Sequence, residues 1–176
     1  MKKDKNFIIS IDQGTTSSRA ILFNLKGQAV YSSQKEFTQY FPKSGWVEHD
    51  PEEIWSTTKK TLIDVVNKSK KIKGRILTIG ITNQRETTVL WNKKTGKAVY
   101  NAIVWQDRRQ EEFCKKLRKQ NKETLIFNRT GLLIDSYFSG TKIKWILDNI
   151  PLAKKLMKKK QLLFGTIDSF LIWRLT

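Results

Sequence analysis

An α/β fold is predicted by three features of this chain: an opening series of short strands broken by polar turns, a long segment with a helix-start signature, and apolar stretches that then alternate with helical periodicity. Phe7 to Ile11 is nearly all apolar and reads as a buried strand, and Asp12 to Ser17 is small and polar, as a turn requires. Arg19 to Asn24 reads as a second strand, and Lys26-Gly27 turns the chain into a third, Ala29 to Phe37. Such an opening is antiparallel, unlike a dinucleotide-binding unit, whose first strand leads into a helix. Asp50 is then placed to cap a helix, Pro51 suits its first position, and Glu53 stands three residues after the cap. Ile54, Trp55, Thr58, Leu62, Val65 and Val66 recur near helical spacing, so the helix is expected to run to about Lys71. Ile76 to Thr82 follows as a buried strand, then strands at Thr87 to Trp91 and Ala98 to Trp105 around a turn at Asn92 to Gly96. From Asp107 the pattern is helical to the end, except for a loop at Thr130 to Phe138 and a strand at Gln161 to Phe164. Three antiparallel strands followed by alternating helices and strands describe a ribonuclease-H-like α/β domain.

The chain has 176 residues, 39% of them hydrophobic and 28% charged, which suits a globular domain with its own core. No linker, repeat or low-complexity tract marks an internal boundary, so one domain is expected over 1–176. The only cysteine, Cys114, excludes an internal disulfide, and the only histidine, His49, excludes a histidine-rich metal cluster. No apolar run approaches the roughly 18 residues of a membrane span. The apolar start is too short for a secretory leader, so a cytoplasmic setting is expected. The net charge of +18 by itself suggests a nucleic-acid partner. However, the excess is mostly lysine, in runs of helical character such as Lys115 to Lys122 and Lys154 to Lys160. Solvated helix faces are the simpler reading, with no specific nucleic-acid binding.

Two groups of residues carry chemistry. Asp12-Gln13-Gly14-Thr15-Thr16-Ser17-Ser18-Arg19 joins two strands. Gly14 allows a turn without a Cβ clash, and Thr15, Thr16 and Ser17 offer hydroxyls and consecutive N–H groups to an anion. Asp12 at the strand end suits a hydrated Mg²⁺, and Arg19 adds fixed positive charge. The same spacing also suits a plain polar hairpin turn. In the second group, Arg85 and Glu86 follow a strand, where α/β sheets place ligand contacts. A guanidinium donates to hydroxyl oxygens and a carboxylate accepts hydroxyl protons, so the pair suits a neutral polyol. Trp105 adds an apolar wall and Tyr137 a further hydroxyl. A surface ion pair and ordinary core aromatics fit these residues as well.

The eight-residue turn resembles the first phosphate motif of the actin, hexokinase and chaperone ATPase superfamily, and in full that of the FGGY carbohydrate kinases. Gly45 to Pro51, Ile81 to Thr87, Tyr100 to Gln106 and Tyr137 to Trp145 are similar to segments of the FGGY members that phosphorylate glycerol. The resemblance runs from Phe7 to Thr176. It implies ATP-dependent phosphorylation of glycerol to glycerol 3-phosphate, with Mg²⁺, or else of a pentulose. It implies that Arg85, Glu86, Trp105 and Tyr137 contact glycerol. It also implies that Gly14, Thr15, Thr16, Ser17 and Arg19 face the nucleotide phosphates, with Thr15 near the transferred phosphoryl group. Ser136 stands where these proteins commonly carry proline, so a looser loop is expected before Tyr137. The family's catalytic base is an Asp in a Gly-Asp-Gln motif, which this sequence lacks. The resemblance therefore implies the first domain of a longer kinase, incomplete at its C-terminal end, without the second, nucleotide-binding domain. No catalytic residue is assigned within the chain, and a homo-oligomer is compatible with the complete enzyme.

Overall fold

A computed structural model describes residues 5–176. The chain divides into two compact units: the chain up to Thr38 with Asp50–Gln84 and Leu171–Thr176, and Gln39–His49 with Arg85–Phe170. The sequence marks no such boundary, because each unit is assembled from segments remote from one another along the chain.

In the first unit, β1 (Lys5–Gln13), β2 (Ser17–Asn24) and β3 (Ala29–Glu36) form the expected antiparallel meander. Along β1 the side chains alternate: Phe7, Ile9, Ile11 and Gln13 are buried, whereas Ile8 is exposed. The buried row packs with Ala20, Leu22 and Val65, the last from α1 (Pro51–Lys71). That helix begins as its sequence dictates. Asp50 is extended, its side chain accepts the Glu52 N–H at 2.8 Å, and Pro51 occupies the first turn. Lys68, Lys70 and Lys71 close the last turn, where carbonyls favour positive charge. The Glu53 carboxylate accepts the Thr38 hydroxyl at 3.1 Å.

The two-residue β4 (Glu48–His49) belongs to the second unit, and β5 (Gly74–Asn83) returns to the first. β5 lies parallel to β1, giving the order β3-β2-β1-β5. Gly74 opens it because any Cβ there would lie 2.2 Å from the Phe7 ring. The sequence expected β5 to be buried. In fact Leu77 and Ile79 are 48% and 42% exposed, since β5 is the sheet edge and only Ile76 and Ile81 reach the α1 side.

The second unit carries an antiparallel sheet of order β4-β7-β6-β8, with β6 (Thr88–Asn92), β7 (Ala102–Ile103) and β8 (Leu162–Thr166). The strand expected at Ala98 to Trp105 shrinks to Ala102–Ile103 and one bridge from Ala98 to Trp91. Between them Tyr100 and Asn101 turn their polar ends to the Glu48 carboxylate. Five helices follow: α2 (Glu111–Lys119), α3 (Glu123–Thr130), α4 (Ser139–Asn149), α5 (Pro151–Lys158) and α6 (Ile167–Leu175). Asp107, expected to open a helix, lies in the loop before α2. Leu90, Ile103, Ile146 and Ala153 form this unit's core, and Cys114, beside Phe113 in the chain, is buried as a small apolar side chain.

Candidate active site

In the first unit the phosphate-type turn is tightly anchored. Gly14 N–H donates to the Ser17 carbonyl at 2.9 Å, and Gln13 Nε2 donates to the Gly14 carbonyl at 2.7 Å. Gln13 is itself buried and held twice by Gln84, through backbone N–H at 2.7 Å and Nε2 at 3.1 Å. Ser18 points inward, sharing hydrogen bonds with the Thr57 and Thr58 hydroxyls of α1. Thr16 is exposed, and the Ser17 hydroxyl accepts Gln34 Nε2 at 2.9 Å. The reason expected for Gly14 needs correcting. Its φ is not positive, and a Cβ would meet only the Ser17 carbonyl at 3.4 Å, an ordinary contact. The turn does not itself demand glycine.

Asp12 and Arg19 face each other in the β1–β2 register and form an ion pair at 2.5 Å. Both remain partly exposed, at 36% and 44%. The residue expected at a metal and the residue expected at a phosphate are therefore each other's partner. Among the described residues no three or more His, Cys, Asp or Glu side chains group as a metal site. Asp12 is a lone carboxylate, a donor set that fits a largely hydrated Mg²⁺ and not a protein cage.

In the second unit Glu86, Trp105 and Tyr137 come together. The Trp105 and Tyr137 rings meet edge to face, 6.1 Å between centroids. Glu86 Oε2 accepts Ser139 N–H at 3.0 Å and the Ser139 hydroxyl at 2.9 Å. This carboxylate thus sits on the N-terminal turn of α4, where N–H groups favour negative charge. Glu86 also holds a left-handed backbone, φ 64°, unusual for a residue with a Cβ. Its carbonyl accepts Lys142 Nζ at 2.8 Å and the Thr88 hydroxyl at 3.1 Å. Lys142 Nζ also donates a short bond to the Tyr137 carbonyl. Burial pulls the Lys142 ammonium down to about 8, against the opposing pull of the Glu86, Asp107 and Asp135 carboxylates. Arg85 is exposed and forms no ion pair with any described residue, so the alternative of an Arg85–Glu86 surface pair falls.

The Tyr137 loop is held by its side chains, contrary to the looser loop expected at Ser136. Asp135 Oδ1 accepts Tyr137 N–H at 2.7 Å and Arg108 Nη1 at 3.0 Å. Ser136, 1% exposed, accepts Arg108 Nη1 at 3.2 Å and donates to Glu111 at 3.4 Å, both through its hydroxyl. The Ser136 hydroxyl thus ties this loop down with bonds that a proline there could not make. A buried ionic network lies in the same unit. Arg109 is clamped by Asp107 through Nε and Nη2, both at 2.9 Å, and donates to Glu48 at 2.7 Å. Its guanidinium lies 3.9 Å from the Trp46 ring centre and 4.5 Å from that of Trp145. Tyr100 donates to Glu48 at 2.6 Å, and Asp107 accepts Val47 N–H at 2.7 Å. In the sequence Asp107 and Arg109 read as opening a helix, with support of the pocket as the alternative; the network itself was not legible, since the carboxylate partner Glu48 lies in a strand too short to show a period.

Residues 7–176 match the N-terminal domain of the FGGY family of carbohydrate kinases. The chain belongs to this family. It is 56% identical over 172 residues to a Shewanella woodyi protein named glycerol kinase, and 59% identical to one from Oceanobacillus iheyensis. Each comparison covers 98% of this FGGY chain, but 35% and 34% of those proteins, so the chain spans about a third of their length. Among solved structures it resembles Plasmodium falciparum glycerol kinase with ADP, with a TM-score of 0.92 and 36% identity. That match covers 98% of this chain and 35% of the other. Lactobacillus acidophilus gluconate kinase, at 24% identity and a TM-score of 0.82, covering 97% and 33%, shares the FGGY fold. The actin/hexokinase-type ATPase architecture implied by the motif resemblance is therefore the fold of this chain.

Proposed function

We propose that the complete protein to which this chain corresponds transfers the terminal phosphoryl group of ATP to glycerol, giving sn-glycerol 3-phosphate. The observation that carries this is the cluster at Glu86: a carboxylate fixed by Ser139, an exposed Arg85 with no ion pair among the described residues, and the Trp105–Tyr137 aromatic pair. Such a cluster suits a small neutral polyol, and the named relatives support the choice of glycerol within the family. In this reading Arg85 donates to glycerol oxygens, Glu86 accepts hydroxyl protons, Trp105 covers the carbon chain and Tyr137 adds a hydroxyl contact. Gly14, Thr15, Thr16 and Ser17 offer N–H and hydroxyl donors to the nucleotide phosphates, with Thr15 toward the transferred group. Since the turn does not require glycine, the bare Gly14 backbone serves close approach of a phosphate. Arg19 holds Asp12 and adds positive charge.

Asp12 would hold Mg²⁺, which when bound neutralises phosphate charge. The protein's own work is positioning and charge stabilisation, with closure excluding water from the transferred group. No side chain of this chain is assigned as the base. A cytoplasmic setting belongs to the same reading; among the described residues no helix is long and apolar enough to cross a membrane. The test is transfer of labelled phosphate from ATP by the purified complete protein, offered glycerol, D-xylulose and gluconate separately. Glycerol is expected to be preferred by at least a hundredfold in kcat/KM. Preference for the pentulose or the acid would overturn the reading.

A further inference from the structure

Lys142 is the one buried lysine among those described, at 1% exposure, and it lies within α4. An ammonium taken out of water needs a partner that repays its lost hydration, and a carboxylate is the usual one. Lys142 has none: no ion pair involves it among the described residues. Its charge is met by two carbonyls, those of Glu86 and Tyr137, and by the Tyr137 ring at 5.8 Å. The charged groups acting on it are Glu86, Asp107 and Asp135, which favour the ammonium, and Arg108, which opposes it. A packing role would be served better by an apolar side chain of the same length.

What the ammonium joins is specific. Glu86 and Tyr137 are the fixed carboxylate and the aromatic hydroxyl of the proposed polyol site. They come from segments remote in sequence, and Glu86 is in the left-handed conformation that its Cβ disfavours. The segment Tyr137 to Lys142 wraps Glu86 from both ends: Ser139 takes the carboxylate and Lys142 takes the carbonyl. We propose that Lys142 is a positioning residue of the polyol site. Its buried ammonium bridges the backbone carbonyls of Glu86 and Tyr137, holds Glu86 in its left-handed turn, and so sets the separation of the two side chains that grip the substrate. This rests on the reading of Glu86 and Tyr137 as glycerol contacts. It makes Lys142 a determinant of polyol size without touching the polyol.

The test uses the complete protein carrying Lys142→Met, which keeps the length and removes the donors. Glycerol KM rises at least tenfold, kcat at saturating glycerol falls less than threefold, and the KM for ATP stays within twofold. Amide exchange at Ser139, which reports its bond to the Glu86 carboxylate, accelerates at least tenfold. In Lys142→Ala, millimolar propylamine restores part of the glycerol KM. A folded Lys142→Met protein with unchanged glycerol KM and unchanged Ser139 protection overturns the proposal. If the variant does not fold, the ammonium resonances of ¹⁵N-lysine-labelled wild-type protein decide. One signal shielded from solvent exchange supports the bridge, and none overturns it. Lack of glycerol turnover by the wild type would overturn the proposed function instead, and the exchange measurements would still decide the bridge.

Discussion

Arg85 carries its charge into solvent without a counter-ion among the described residues, whereas the neighbouring Glu86 is already held by Ser139. The two therefore respond differently to mutation. Arg85→Ala leaves Glu86 in place and, on the proposed function, removes donors to a substrate hydroxyl. A hydrogen bond from a charged donor contributes about 1.5–3 kcal/mol. Glycerol KM in the complete protein is expected to rise roughly tenfold to a hundredfold, with the KM for ATP and the melting temperature unchanged; a parallel loss for ATP would contradict this. His49 gives a second residue-scale test. Burial pulls its pKa from 6.5 down to about 4, and its Nε2 lies 2.6 Å from Gln39 Oε1. The unfolded chain then binds more protons than the folded one between those values. The contribution of His49 is full above pH 6.5 and is lost as pH falls toward 4, on the order of 3 kcal/mol across the window. Urea denaturation of wild type and His49→Gln between pH 7 and 4 should show a shrinking stability difference; a constant difference would contradict it. At this scale the chemical types of Glu86, Trp105 and Tyr137 were legible, because they stand in unbroken motifs. Ser139 and Lys142 lay inside a quoted motif without a stated purpose, because their partner Glu86 is 53 and 56 residues away. No local period encodes such a distance.

At the scale of elements, the Arg109 network joins β4, the loop before α2, and the aromatic rings of Trp46 and Trp145. Arg109, Glu48 and Asp107 side chains are 1%, 4% and 1% exposed. Removing the cation strands two buried carboxylates, a change that typically costs 3–5 kcal/mol. Arg109→Ala should therefore lower unfolding free energy by about that amount in chemical denaturation, and a loss under 1 kcal/mol would show the network to be weakly coupled. The long elements were readable: α1 begins at its Asp50–Pro51 signature, and β1 to β3 follow their turns. The short ones were not. β4 and β7 have two residues each, too few for alternation to register. The burial of β5 was misjudged because an apolar run reports propensity for a strand and says nothing of whether both faces are covered.

For the whole molecule, the chain spans about a third of the named relatives' length, and it holds a phosphate-type turn and a polyol-type cluster without an assigned base. General-base assistance is commonly worth about 10²–10⁴-fold. Residues 1–176 alone are expected to transfer no measurable phosphate to glycerol in a labelled-ATP assay. Turnover within a hundredfold of the complete protein would show that nothing outside this chain is needed. The family was legible from ordered motifs across the chain, whereas the division into two units was not. Composition is uniform across boundaries that the backbone crosses repeatedly, and only contacts between remote segments reveal them.

The parallel pairing of β1 with β5 has a consequence for how the chain is made. Ile9 meets Leu22 on one side and Ile79 on the other. During synthesis the first neighbour arrives almost at once, and the second only after all of α1 has left the ribosome. At about 5–20 residues per second, one edge of β1 stays open for several seconds in every nascent chain. An unpaired edge is a template for another strand. Polysomes place many such edges close together, and slow translation through α1 prolongs the interval. Codon timing within α1 thereby sets how long that edge stays unpaired.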